Sequence, residues 1–362
     1  MGRGTIDWKP FAEGSEICLK RAILKIRSSR PKVEPSLPFI PYPSGEMLQL
    51  WINTPACRFS LAGNCSICDY CDGDISEFSI AKVCDYIDSH CNEYNTILLN
   101  TCGSVLCEEE LPFSDLLRIA DAIEKTSVKH VIFETHLAYV NRQKIEALTQ
   151  VLPSKTIMLE YGQESTSTQV LRYCLCKPSV LSNQDAINLL HEYGIEMIAN
   201  VVLGAPFLNV YQRIRDAADS IAELLRSGIA KVVLFPVNIK PYTLVSYLFG
   251  EGYYKRIQIA EIIKVLENFC ETDLARIELA WFEPKRDEMK PYTEQSLGPE
   301  LCDRCGQRIL EQLRMYSKAK EGMMRKDIID KLQCIDCSCI ASLYEYEIPN
   351  IHKCYSFLEE NV

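Results

Sequence analysis

From residue 47 onward the chain alternates between two hydrophobic patterns. Short, nearly continuous apolar runs rich in Ile, Val and Leu occur at Met47–Asn53, Thr96–Asn100, His130–Glu134, Thr156–Tyr161, Glu196–Leu203, Lys231–Val237 and Arg276–Trp281. A strand with one wet face would alternate apolar and polar positions, so these runs predict strands buried on both faces. Between them, apolar residues recur at helical spacing over Ile80–Ser89, Phe113–Lys125, Gln143–Gln150, Asn183–Tyr193, Tyr211–Ser227 and Ile257–Phe269. Strands alternating with helices of this length make βαβ units, hence a parallel sheet with helices outside it. The fold class expected is α/β, a partial (β/α)6 TIM-like barrel with a seventh strand to be looked for.

In such barrels chemistry gathers at the carboxyl ends of the strands. The first strand runs directly into Cys57-Arg58-Phe59-Ser60-Leu61-Ala62-Gly63-Asn64-Cys65-Ser66-Ile67-Cys68-Asp69-Tyr70-Cys71. Thiolates spaced C-x7-C-x2-C, at Cys57, Cys65 and Cys68, can hold three irons of a [4Fe-4S] cluster and leave the fourth iron open. The rival is zinc, because two thiols two residues apart also make a zinc knuckle. A closed zinc site wants a second pair nearby, and Cys71 adds a single further thiol, read as a spare beside the cluster.

The other strand ends carry polar or glycine-rich punctuation where a cofactor would lie: Asn100-Thr101-Cys102-Gly103-Ser104, Glu134-Thr135-His136, Glu160-Tyr161-Gly162-Gln163-Glu164, and Gly204-Ala205-Pro206 after Asn200 in mid-strand. Glu134, Glu160 and Glu164 either orient a cofactor or are carboxylates satisfied within a polar barrel mouth. His136 is either a proton donor or substrate contact, or a hydrogen-bonded loop histidine, and His191, inside a helical pattern, is structural. Tyr242 and Tyr247 either line a substrate cavity or pack a cap.

Residues 1–45 are basic and then proline-rich, which predicts a helix followed by an extended arm. Lys20, Arg21, Lys25, Arg27, Arg30 and Lys32 are either a solvated face or a contact for an anionic substrate. Residues 46–282 form the barrel, and residues 283–362, entered through a proline-punctuated linker, form a cysteine-rich subdomain lying over the barrel mouth. There Cys302-x2-Cys305, a helical stretch Gln307–Lys318, and Cys334-x2-Cys337-x-Cys339 precede His352 and Cys354. Cys302, Cys305, Cys334 and Cys337 are the first ligand set, with Cys339 able to replace one of them. They suit either a structural zinc or an auxiliary [4Fe-4S] cluster.

The net charge of -10 argues against a broad nucleic-acid-binding face while leaving room for a local basic patch. Eighteen cysteines are many for a reducing compartment, where disulfides do not persist, and their clustering points to metal ligation. The scattered ones, such as Cys84, Cys91, Cys102 and Cys174, read as small buried hydrophobes. No run reaches the roughly 18 apolar residues of a membrane span, and the start lacks a signal-like apolar stretch, so a cytoplasmic protein without membrane partners is expected. There is no G-x4-G-K-[ST] phosphate loop, no carboxylate pair spaced for hydrolysis and no recognisable serine or cysteine nucleophile setting.

These features resemble the radical S-adenosylmethionine (radical SAM) enzymes, in the class containing the Elongator catalytic subunit, and are closest in pattern to the radical SAM subunit of archaeosine synthase. The likeness spans about residues 47–250. It runs through Asn53-Thr54-Pro55-Ala56-Cys57, Gly63-Asn64-Cys65-Ser66-Ile67-Cys68-Asp69-Tyr70, Thr101-Cys102-Gly103-Ser104-Val105-Leu106, Phe133-Glu134-Thr135-His136, Gly162-Gln163-Glu164 and Phe235-Pro236-Val237-Asn238-Ile239. The chain departs where that family tends to have Glu-Ser-Arg, reading Glu134-Thr135-His136, and it lacks a tryptophan-rich segment after Tyr253-Tyr254. The resemblance implies that Cys57, Cys65 and Cys68 ligate a [4Fe-4S] cluster whose open iron chelates S-adenosylmethionine. Cleavage of that cofactor then yields a 5'-deoxyadenosyl radical for hydrogen abstraction. Gly103, Ser104, Glu134, Glu164 and Asn200 are the cofactor-binding candidates, and an electron donor of flavodoxin or ferredoxin type is implied. The expected substrate is a lysine-modified 7-deazaguanine in transfer RNA. The alternatives are rearrangement or sulfur insertion on a small metabolite or peptide with an auxiliary cluster, or a non-catalytic zinc-binding adaptor.

Overall fold

The computed structural model describes residues 13–31, 38–70, 80–177, 183–284, 296–345 and 351–362. The seven apolar runs form β2 (Met47–Ile52), β3 (Thr96–Asn100), β4 (His130–Glu134), β5 (Thr156–Glu164), β6 (Glu196–Leu203), β7 (Lys231–Pro236) and β8 (Ile277–Leu279), each pairing in parallel with the next. The seventh strand is therefore present, and it is short. An eighth, β1 (Phe39–Ser44), pairs antiparallel with β2 in the register Pro41↔Leu50 and Pro43↔Leu48. The described end of the proline-rich arm, Phe39–Ser44, is thus an edge strand, a position that tolerates residues without an amide hydrogen, and residues 32–37 of the arm lie outside the described residues.

Alternation along each strand sorts the two faces. Leu48, Leu50, Ile97, Leu99, Val131, Phe133, Ile157, Leu159, Val232 and Leu234 point outward into one core with the surrounding helices. Leu98, Ile132 and Ile198 point inward, with Met47, Met158 and Val233 against them. Inward residues from β2 through β8 line one cavity, so the sheet curls into an open barrel around it.

The C-terminal region shares the outer core. Ile309, Leu313 and Tyr316 of the helix Gly306–Lys318 and Ile328, Ile329 and Leu332 of the helix Gly322–Gln333 belong to the same cluster as the strands. Arg325 fastens this layer to the last strand by donating to the carbonyls of Leu274 (2.9 Å) and Ile277 (2.8 Å) and to Glu278 (2.8 Å). The final helix Ile351–Asn361 packs instead in a second core with the N-terminal helix Glu13–Ser28 and the segment 170–176. Among the described residues no helix is long and apolar enough to cross a membrane.

One ion pair inside the helical layer is fully enclosed. Arg213 on the helix Val210–Arg226 grips Glu261 on Ile259–Leu266 through two hydrogen bonds of 2.5 and 2.6 Å, with the two side chains 1% and 0% exposed. Removing one member leaves a buried charge without its counterpart, at a cost of about 3–5 kcal/mol. Arg213→Met should lower the urea midpoint accordingly, and an unchanged midpoint would show that the pair contributes nothing net.

Candidate functional site

The cysteine loop is shaped by what surrounds it. Its base is closed by the Cys57 amide donating to the Tyr70 carbonyl at 3.0 Å, and Cys57 caps a single helical turn, Arg58–Leu61. Gly63 has φ +76°, and a side chain there would press on Leu24 and the Lys20 carbonyl at 3.0 Å, so glycine lets the loop lie against the N-terminal helix. From that helix Arg27, 7% exposed, donates to the carbonyls of Ser60 (2.5 Å), Cys65 (2.7 Å) and Cys68 (3.0 Å). On the opposite side the amides of Cys65 and Ser66 donate to the carbonyls of Cys176 (3.1 Å) and Leu175 (2.9 Å). Asp69 at the loop's end meets Lys240 at 2.8 Å, both buried, with the ammonium set over the rings of Tyr70 and Trp281.

All three thiols open into the barrel cavity, whose volume is about 590 Å³, within the range of small-molecule sites. Burial pushes the thiols of Cys57, Cys65 and Cys68 up to about 12. Thiols so enclosed surrender their protons to a strongly positive centre, as metal ligands do.

The loop after β3 is tied to the cysteine loop by Glu110, which is 2% exposed. Its carboxylate accepts from the amides of Arg58 (3.0 Å) and Ser104 (2.6 Å), and a side chain at Gly103 would collide with it. The Ser104 hydroxyl lies 2.6 Å from that of Thr135 and accepts from the His136 amide at 3.2 Å. Gly103 and Ser104 line the cavity, but their amides already have partners within the chain. His136 stacks on Phe59 at 4.0 Å and accepts from the Ala138 amide through Nδ1 at 3.3 Å. Burial lowers its pKa to about 3, so it is a neutral loop histidine at physiological pH.

Deeper in the cavity Glu134 and Glu160 sit opposite one another on β4 and β5. Burial first, and then the neighbouring Glu160, pushes Glu134 up to about 8. Asn200 donates to Glu160 at 2.9 Å. Glu164, in the left-handed region at φ +65°, pairs with Lys177 at 3.0 Å, and that ammonium also donates to the Gly162 carbonyl at 2.6 Å.

The C-terminal cysteines form a separate centre. The sulfurs of Cys302, Cys305, Cys337 and Cys339 all lie within 4.8 Å of one another, with Cys302–Cys337 at 3.8 Å and Cys305–Cys339 and Cys337–Cys339 at 3.3 Å. A tetrahedral zinc with bonds of about 2.3 Å places its sulfurs at about this spacing. A four-iron cluster takes each thiolate on a different iron and spreads its sulfurs further apart than they lie here, so the spacing favours the single ion. Cys57, Cys65 and Cys68 do not come within the same mutual distance. Backbone amides at Cys305 and Arg304 bring the Cys302 thiol down to about 6, and the Cys339 amide lowers Cys337. Cys334 stands apart, exposed at the end of the helix Gly322–Gln333, so Cys339 is the fourth thiol of the group. Cys354 is a buried thiol of the second core.

None of the four grouped thiols lines the cavity; the group sits beside the start of the helix Ile259–Leu266, along Gln258–Ala260, and of the C-terminal region it is the final helix that packs against residues following the strand ends. Tyr247 stacks on Phe357 of the final helix, which is packing and not cavity lining. Cys71 falls outside the described residues. Glu110 and Lys177 were not foreseen: Glu110 ends a run of three glutamates that looks solvated, and Lys177 follows a Cys-x-Cys pair with no motif of its own. Arg27 was foreseen only as part of a basic stretch, and it serves neither solvent nor an anionic substrate.

No family model matches the chain. The archaeosine synthase subunit beta of Methanosarcina acetivorans is 24% identical over 346 residues, which takes in 89% of this chain and 93% of that protein. Among solved structures, Elp3 from Methanocaldococcus infernus is matched over 66% of this chain and 59% of its own, at 15% identity and a TM-score of 0.46. The radical S-adenosylmethionine methyltransferase TsrM from Kitasatospora setae is matched over 80% and 63%, at 10% identity and a TM-score of 0.49. The chain thus spans less than two thirds of either structure. The resemblance to archaeosine synthase expected from the sequence is matched by the Methanosarcina relative.

Two measurements check the geometry. Ionising Glu134 works against folding from its ordinary pKa up to about 8, so Glu134→Gln should raise the thermal midpoint at pH 8.5, by about 2–4 °C for each kcal/mol relieved, and the gain should shrink as pH falls and vanish below the ordinary carboxyl pKa. Equal midpoints of parent and variant at pH 8.5 would remove the buried carboxyl. For the C-terminal group, Cys339→Ser should abolish tight zinc retention while Cys334→Ser keeps it; the reverse result would exchange the two ligands.

Proposed function

We propose that this chain is a radical SAM enzyme that acts on a lysine-modified 7-deazaguanine in transfer RNA, as one subunit of a two-part, cytoplasmic archaeosine synthase. The observation that carries the reading is the convergence of Cys57, Cys65 and Cys68 on one barrel cavity, in a chain related over 89% of its length to an archaeosine synthase subunit. The donor set fits the cofactors: three soft thiolates suit iron–sulfur ligation, and Glu164 Oε2 is a buried acceptor without a partner at the cavity wall. When bound, a [4Fe-4S] cluster and S-adenosylmethionine supply a carbon-centred radical that removes a hydrogen atom from an unactivated carbon.

The chain's own residues do the rest. Arg27 and the carbonyls of Leu175 and Cys176 fix the thiols' directions. Lys177 and Lys240 place positive charge beside Cys65 and Cys68. Leu98, Ile132, Ile198, Phe235 and Trp281 line the cavity with apolar surface, which keeps water from a reactive intermediate. His136, held neutral, donates no proton at physiological pH. Cys302, Cys305, Cys337 and Cys339 hold a structural zinc, the centre that their close spacing favours over a second cluster. Electrons come from an outside donor of flavodoxin or ferredoxin type, and the relative's designation as subunit beta supports a second chain that supplies further contacts to the transfer RNA.

Anaerobic reconstitution should give about four irons and one zinc per chain, and Cys57→Ala/Cys65→Ala/Cys68→Ala should lose the iron and keep the zinc. The intact protein should cleave S-adenosylmethionine faster when lysine-modified transfer RNA is added. Iron unchanged in the triple variant would overturn the cluster assignment, and cleavage indifferent to that RNA would overturn the substrate.

A further inference from the structure

Below the cysteine loop the barrel wall carries a belt made of hydrogen-bond acceptors. Glu134 and Glu160 face each other at its centre, flanked by Asn100 at the end of β3 and Asn200 on β6, and all four line the cavity. The two carboxyls hold a proton near neutral pH, yet between them they still offer more acceptors than donors. Each asparagine therefore turns its amino group to a carboxylate, Asn200 to Glu160 at 2.9 Å and Asn100 to Glu134. That orientation leaves Asn100 Oδ1 and Asn200 Oδ1 buried with no partner, although Asn100 is only 1% exposed. The other charged groups near the pair, Glu164 and Lys177, are joined to each other at 3.0 Å, and Lys177 acts on Glu134 less strongly than the two neighbouring glutamates do. Beneath the belt the wall turns apolar at Leu98, Ile132 and Ile198.

Acceptors with a negative charge among them call for a group that carries positive charge and only donors. An alkylammonium has three donors and no acceptor. A hydroxyl would offer fewer donors and bring lone pairs of its own, and a carboxylate or phosphate would meet like charge. We propose that Glu134, Glu160, Asn100 and Asn200 bind a protonated primary amine of the substrate and so fix which carbon of its aliphatic chain faces the cysteine loop. This deepens the reading of the cavity as the active site and rests on it. Burial and like charge keep a proton on the carboxylate pair near neutral pH. An arriving ammonium replaces that proton, so binding releases it and strengthens as pH rises toward about 8.

The test is calorimetric titration of anaerobically reconstituted protein, with S-adenosylmethionine present, using pentylamine and pentan-1-ol as probes. Pentylamine stays protonated throughout, since alkylammonium groups titrate near about 10.4. It should bind at least about 10-fold more tightly than the alcohol, as expected for hydrogen bonds to charged groups. Repeating the titration in buffers of different ionisation heat should show up to one proton released. Glu134→Gln/Glu160→Gln should erase the preference while iron content stays unchanged, and retained S-adenosylmethionine affinity is the result that takes Glu134 out of the cofactor-binding set. Equal binding of the two probes by the parent protein overturns the proposal, whether or not the variant folds. So does a preference that survives in the variant, and so does a variant that loses S-adenosylmethionine instead, because the carboxylates would then serve the cofactor. A parent protein that holds no iron, or that fails to cleave S-adenosylmethionine, would refute the enzymatic reading separately, and the amine titration can be run on such protein unchanged.

Discussion

A buried guanidinium on the N-terminal helix, Arg27, donates to three carbonyls of the cysteine loop, and the geometry of the site depends on it. A short loop that must aim three sulfurs into one cavity cannot form regular hydrogen bonds along its own backbone, so its carbonyls need partners from elsewhere. One planar donor with several N–H groups meets that need at a single point. Two further constraints act with it. Carbonyls of the helical turn ending at 174–176 accept from the Cys65 and Ser66 amides and the Ser66 hydroxyl, and Glu110 accepts from both the Arg58 and Ser104 amides and locks the first and second strand-end loops together. The N-terminal helix, outside the barrel in sequence, is thereby an integral part of the site.

Charge inside the cavity is sorted by depth. Arg27, Lys177 and Lys240 stand around the cysteine loop, and the carboxylates of Glu134 and Glu160 lie further down the wall. Positive groups beside the sulfurs compensate thiolates that burial alone would keep protonated. Negative groups at the belt, short of donors, suit a cationic part of whatever lies between. The apolar residues between and beneath these zones lower the local dielectric and strengthen both effects.

The two cysteine groups differ in spacing because they answer to different packing. Cys57, Cys65 and Cys68 are spread by a loop pinned on several sides to separate elements. Cys302, Cys305, Cys337 and Cys339 are drawn together where two helix ends meet, within 4.8 Å, the span of one ion. Their neighbourhood is the outer hydrophobic layer, which fits a role in fastening the C-terminal helices to the barrel.

The sequence by itself determined the elements and the gathering of three thiols in one loop at the barrel mouth. Continuous apolar runs separated by helical periods require a parallel sheet under helices, and all seven runs became strands because burial on both faces leaves such segments no other stable place. The C-x7-C-x2-C spacing lies within one loop, so local chain geometry carries it. Tertiary structure alone decided what depends on residues far apart in the chain. Arg27 and Glu110 look like members of solvated charged runs until folding buries them, and Lys177 reaches Glu164 only through the turn after residue 170. Cys339 displaces Cys334 from the C-terminal group because helix Gly322–Gln333 ends by turning the earlier thiol outward. The acceptor belt arises from single residues on four strands, and no pattern along the chain marks it, because only the curl of the sheet brings those four side chains to one depth.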